Sequence, residues 1–159
     1  MLAALDQMEV EIAGLNRQVE EEVKRRPAAM RLRTHPGVGP VTALGHGADA
    51  GAGGKIRIGQ ASGQLFWADP ERALQRRAAA VGANQQAGQF FLRFLLVEAG
   101  QTAVRYDAEL GRFYRRLARR KHRALAKVAV ARKLAMRLYL MLREDWDYAQ
   151  LCKAMCRQA

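Results

Sequence analysis

Apolar residues recur at helical spacing through the last third of the chain, and this limits the fold more than any other feature. From residue 90, "FFLRFLLVEAGQTAVRY" is apolar on nearly all sides and predicts a buried helix. "LGRFYRRLARRKHR" is a basic amphipathic stretch carrying Phe113, Tyr114 and Leu117. "ALAKVAVARKLAMRLYLMLRE" predicts a long helix with Val128, Ala131, Ala135, Leu138 and Leu142 on one stripe. The expected fold is mainly α. It comprises a coiled-coil-like helix over residues 1–31, a helix-hairpin-helix-like motif over 32–44, a loosely ordered middle over 45–89 and a basic C-terminal helical bundle over 90–156.

The N-terminal stretch places Met1, Leu5, Met8, Ile12, Leu15 and Val19 at alternating steps of four and three, the a/d seam of a coiled coil. Pro27 closes the run before three heptads are complete, so the seam is marginal alone and wants a partner helix. That partner is another chain, or else the helix packs on its own domain.

"LRTHPGVGPVTAL", residues 32–44, fixes φ at Pro36 and allows positive φ at Gly37 and Gly39. Pro40 suits the first turn of a helix. The pattern resembles the hairpin of a helix-hairpin-helix motif, in which Gly37, Val38, Gly39 and Thr42 would offer backbone N–H groups to a nucleic-acid phosphate. A plain Pro/Gly connection between helices has the same spelling.

Charge narrows the partner. The chain holds 27 Lys and Arg against 15 Asp and Glu, a formal charge of +12. The excess lies almost wholly in residues 90–159, which carry sixteen basic and six acidic side chains. A polyanion is the expected partner, nucleic acid first. Arg116, Arg120, Arg123 and Lys127 would share one face if helix continues through "RKHR", with Arg119, Lys133 and Arg137 nearby. The alternative is a solvated basic face.

No apolar run approaches the length that spans a bilayer, and the acidic, heptad-patterned N-terminus does not resemble a secretion signal. The sequence therefore predicts a soluble, cytoplasmic protein without membrane contact. Cys152 and Cys156 read as free thiols, since a disulfide framework needs more cysteines spread along the chain. His35, His46 and His122 stand at no metal-ligand spacing, and Glu144, Asp145 and Asp147 lack a second carboxylate group elsewhere. "GADAGAGGK" departs from the phosphate-loop pattern. The sequence predicts no catalytic residue, metal ligand or cofactor.

Two blocks, "LRTHPGVGPVTAL" and the text from "FLRFLLVEAGQTAVRYDAEL" to "LREDWDYAQL", resemble the C-terminal domain of insertion-sequence transposases of the 110/116/902 family. "LLVEAGQTAVR" and "AKVAVARKLA" are the most specific pieces. The resemblance implies DNA recombination under a structured guide RNA in bacteria, with DNA and that RNA as partners. It also implies a coiled coil at residues 1–26, a divalent metal held by an acidic domain that this chain lacks, and a catalytic serine in a Ser-Ser-Gly-Gly motif between the two blocks. No such motif stands there. The segment's lone serine, Ser62, matches no family position.

The departure has a coding explanation. Read one base later, codons compatible with Gln60 to Trp67 give Lys-Gln-Val-Ala-Ser-Tyr-Phe, and codons compatible with Leu74 to Gly82 give Ser-Ser-Gly-Gly-Gln-Arg-Arg-Leu-Gly. Both are family-like and in family order. Residues 45–89 then read as out-of-frame text, loosely ordered to about residue 68, with an accidental helix over 70–81, where Pro70 suits a first turn. The expected product is a transposase remnant without recombination activity. The alternatives are a small helical nucleic-acid-binding protein, or a coiled-coil partner that modulates an intact transposase. Sequencing the coding bases checks the reading: the codons of Leu74 and Gln75 yield two serines when shifted by one base, and any codons that cannot do so sink it.

Overall fold

In the computed structural model, residues 2–51 and 83–156 are described, and their regular structure is helical throughout. Seven helices run in order among these residues: α1 (Leu2–Arg25), α2 (Pro27–Leu32), α3 (Pro40–Gly51), α4 (Ala83–Tyr106), α5 (Ala108–Arg120), α6 (Arg123–Arg143) and α7 (Tyr148–Cys156). Ser62, Trp67 and the expected helix over 70–81 lie outside the described residues.

Helix boundaries follow local chemistry. Pro27 takes the first turn of α2, where its missing N–H costs nothing, so the single helix expected over 1–31 divides at Arg26, whose backbone is extended. The expected run through "RKHR" also breaks. Lys121 turns extended after α5, and the His122 ring accepts a bond from the Ala124 N–H at the start of α6. At the other α5 end, Asp107 accepts from the Leu110 N–H at 2.8 Å, a carboxylate N-cap that also complements the helix dipole. Helix also reaches residues 45–51 and 83–89, inside the segment expected to be irregular, because α3 and α4 propagate into it.

α4 and α6 make the most extensive helix pair among the described residues, flanked by α5, while α3 packs on α4 and α2 on α6. Their crossing needs small residues: a Cβ on Gly100 would stand 3.4 Å from the Ala131 backbone nitrogen. Leu92, Leu96, Leu134, Leu138 and Met141 fill the centre together with Val23 from α1 and Leu151 from α7. The burial of each such side chain contributes roughly 1.5–3 kcal/mol. Two sequence expectations need adjustment. The core-facing stripe of α6 is centred on Val130, Leu134, Leu138 and Met141, with Val128, Ala135 and Leu142 at its margins. α4 is not buried all round, since Phe90, Phe91 and Phe94 are exposed.

The turn between α2 and α3 is fixed by Gly37, whose φ is +90° and whose missing Cβ lets it lie against α4. A Cβ there would stand 2.5 Å from the Ala103 backbone nitrogen, too close for either backbone to tolerate. Gly37→Ala thus meets an unfavourable φ and a backbone clash together. It should lower stability by about 3 kcal/mol, read as a fall in the thermal or urea midpoint. Gly39→Ala, with nothing within 4 Å of its Cβ position, should change stability far less.

Candidate nucleic-acid interface

α5 is the most strongly amphipathic of the described helices. Leu110 and Gly111 are buried, Phe113, Tyr114 and Leu117 are partly buried, and Arg112, Arg115, Arg116, Arg119 and Arg120 are exposed. At about 100° per residue, Arg112, Arg115, Arg116 and Arg119 share a sector of roughly 100°, with Arg120 on its flank. None of the five has a carboxylate ion-pair partner among the described residues. Arg116 lies over the Phe113 ring at 5.8 Å, which holds it against the helix. Arg112 and Arg115 were missed in the sequence, although "GRFYRRLARR" carries the signal: arginines recur at steps of three and four.

The remaining predicted residues separate into three groups. Arg123 is exposed and Lys127 half-buried on the first turns of α6, beyond the break at Lys121. They stand on a second helix rather than along one continuous face with the α5 arginines. Arg137 and Lys133 leave the set. Arg137, 4% exposed, donates to Asp107 Oδ2 at 2.7 Å and to Glu109, while Lys133 pairs with Glu109 and lies 5.0 Å from the Phe113 ring centroid. Sequence reasoning placed Arg137 on the surface because arginine usually is there; Asp107 and Glu109, about thirty residues away, compensate its burial.

Gly37, Val38, Gly39 and Thr42 divide as well. Gly37 is committed to its contact with α4, and the Val38 and Thr42 side chains are buried. Gly39, just ahead of α3, is exposed. The neighbouring His35 is 1% exposed; its Nδ1 lies 2.9 Å from the Pro36 carbonyl, and its ring meets that of Tyr148 edge-on at 4.7 Å. Burial keeps the His35 pKa below the ordinary histidine value, with the Pro36 carbonyl opposing and Arg137 adding to the shift.

Tyr148 ties this turn to α5. Its OH donates to Asp107 Oδ2 at 2.8 Å, and its N–H donates to Thr34 Oγ1 at 2.9 Å. Burial and then the bond to Asp107 raise its phenol pKa, so it stays a donor. Asp107 collects bonds from the Leu110 N–H, Tyr148 and Arg137. Burial alone would raise its pKa, but these partners outweigh burial and hold the carboxyl below its usual range. Among the described residues no cluster of His, Cys, Asp or Glu could hold a metal ion, and no helix is long and apolar enough to cross a membrane.

Comparison with known proteins finds one informative likeness. The chain is 27% identical over 148 residues to a protein of Pseudomonas aeruginosa described as "Probable family 20 transposase", covering 91% of this chain and 44% of that protein. The chain thus spans less than half the length of the relative it matches, and the match runs through part of residues 45–89. No protein-family model matches, and no solved structure does. The chain is thus similar in sequence to part of a transposase, and its fold is mainly α.

The buried pair makes a sharp test. Asp107→Asn leaves the Arg137 guanidinium buried with only the half-exposed Glu109 and should cost about 3–5 kcal/mol in urea unfolding, whereas adding Arg137→Met should restore part of the loss. Because the folded carboxyl pKa is depressed, its contribution is present above the unfolded value of about 3.9 and is lost as pH falls through the folded one. Histidine acts higher on the scale. Burial lowers His46 to about 4 and lowers His35 in the same direction, so stability should already decline as pH drops from about 6.5 toward 4, and His46→Leu should flatten that decline.

Proposed function

We propose that this chain is the nucleic-acid-holding part of a transposase of the 110/116/902 type, reduced to a remnant without recombination activity. The exposed arginine face of α5 carries this reading, together with the similarity to a transposase. Four guanidiniums on one sector of a helix, none of them in an ion pair among the described residues, match a phosphate backbone better than a solvated face, for which acids would be interspersed. Arg120, Arg123 and Lys127 extend the charge, and Gly39 at the start of α3 offers a helix-hairpin-helix-like phosphate contact that reads no sequence. DNA and a structured RNA are the partners in view.

Loss of activity rests on the chain's own text. The family's serine falls in residues 45–89, where Ser62 is out of register. A second reading, a partner that modulates an intact transposase, is favoured by one observation: the apolar stripe of α1 is open.

Binding of the full chain to duplex DNA should weaken with salt along a log–log slope of about −3.6 if four phosphates are engaged. Arg115→Glu with Arg119→Glu should reduce affinity at least ~10-fold and flatten that slope by about 2. Unchanged binding by this variant would exclude the α5 face. Strand exchange on any cognate DNA should be absent, and measurable recombination would refute the inactivity.

A further inference from the structure

The longest run of this chain without an acidic side chain extends from Leu110 to Arg143, and it spans α5, α6 and the break between them. Twelve Lys and Arg fall within it. At the break, Arg119, Arg120, Lys121, His122 and Arg123 are exposed in succession, and none of them has an ion-pair partner among the described residues. A patch of this composition on an irregular, exposed segment attracts phosphate. One member of it is a histidine.

His122 also has a structural task. Its Nδ1 accepts the Ala124 N–H at 3.3 Å at the start of α6, and a ring nitrogen accepts only while it carries no proton. The neutral ring therefore holds its hydrogen on Nε2. Histidine is the side chain whose charge ordinarily changes between about pH 5 and 8. Ala124 is exposed, so water or an arriving phosphate oxygen can take over its N–H when the ring turns away.

We propose that His122 is a proton-linked phosphate contact: as nucleic acid binds, its ring leaves the helix cap, takes a proton from solvent onto Nδ1 and meets the phosphate backbone as a cation. The inference rests on the nucleic-acid reading above and adds to it a residue and a pH response. A phosphate oxygen beside the ring favours its charged form and gains a charge-assisted hydrogen bond from it. The surroundings supply no competing anion. Arg119 and Arg120 of α5, Lys121 in the break, and Arg123 and Lys127 of α6 stand around the ring in sequence. Glu109 and Glu144 lie at the far ends of the two helices, roughly 16 Å and 30 Å away along their axes. α4, which packs on both helices, carries Arg93, Glu98 and Arg105 as its charged side chains, and Glu98 accepts from Gln101.

Affinity of the full chain for a short DNA duplex, read by fluorescence anisotropy at constant ionic strength, tests the linkage. The unaltered chain should bind roughly 5-fold more tightly at about pH 6 than at about pH 8. Titration calorimetry in buffers of different protonation enthalpy should show net proton uptake on binding. His122→Asn keeps a preferred N-cap and takes up no proton. It should unfold at the unaltered temperature, bind near normally at about pH 8, and lose both the acid gain and the proton uptake. His35 and His46 are the same in both chains, so their effect on stability cancels in the comparison. Binding without a pH response, or an acid gain that persists in His122→Asn, would overturn the proton linkage and leave the nucleic-acid reading standing. Absence of binding at both pH values would overturn the two together.

Discussion

The described structure turns on the buried carboxylate of Asp107. One side chain caps α5 through the Leu110 N–H, neutralises Arg137 of α6 and accepts the Tyr148 hydroxyl of α7. Through Tyr148 it also reaches His35 and Thr34 at the α2–α3 turn, so four parts of the chain are fixed by one acid. Burying a charge is costly unless its hydrogen-bonding capacity is met, and here three donors meet it. Glu109, in the first turn of α5, repeats the logic at the rim by holding Arg137 and Lys133.

That arrangement also shapes the basic surface. Arg137 and Lys133 are consumed by Asp107 and Glu109, whereas Arg112, Arg115, Arg116 and Arg119 face outward and form no ion pair among the described residues. The cap orients α5, and its orientation presents Arg112, Arg115, Arg116 and Arg119 as one sector. Packing and the proposed binding therefore use different faces of the same thirteen-residue helix. In the proposed reading, the grip on nucleic acid outlives the chemistry because it needs only this helix and its support, while catalysis needs a serine and metal ligands placed together.

Much was legible in the linear text. Helical period from residue 90, the stop at Pro27, the turn at "PGVG" and the concentration of positive charge all follow from local rules, since they depend on residues within one or two turns of each other. The misses are long-range. Arg137 looked like a surface cation because the acids that bury it are about thirty residues away, and the packing of Gly37 was hidden because Ala103 is nowhere near it in sequence. The break at Lys121 was local yet hidden, for His122 is an uncommon helix cap. The exposure of Phe90, Phe91 and Phe94 was missed because an all-apolar face does not say which side has a neighbour.

The sequence by itself determined the mainly α fold, the heptad stripe of α1, the basic C-terminal third and the missing serine motif, because period, charge and motif are properties of order along the chain. Tertiary structure alone decided which arginines are free, which glycine is a packing residue and which half of α1 is covered. Burial and ion pairing depend on what lies across a helix, and that neighbour comes from a distant part of the chain.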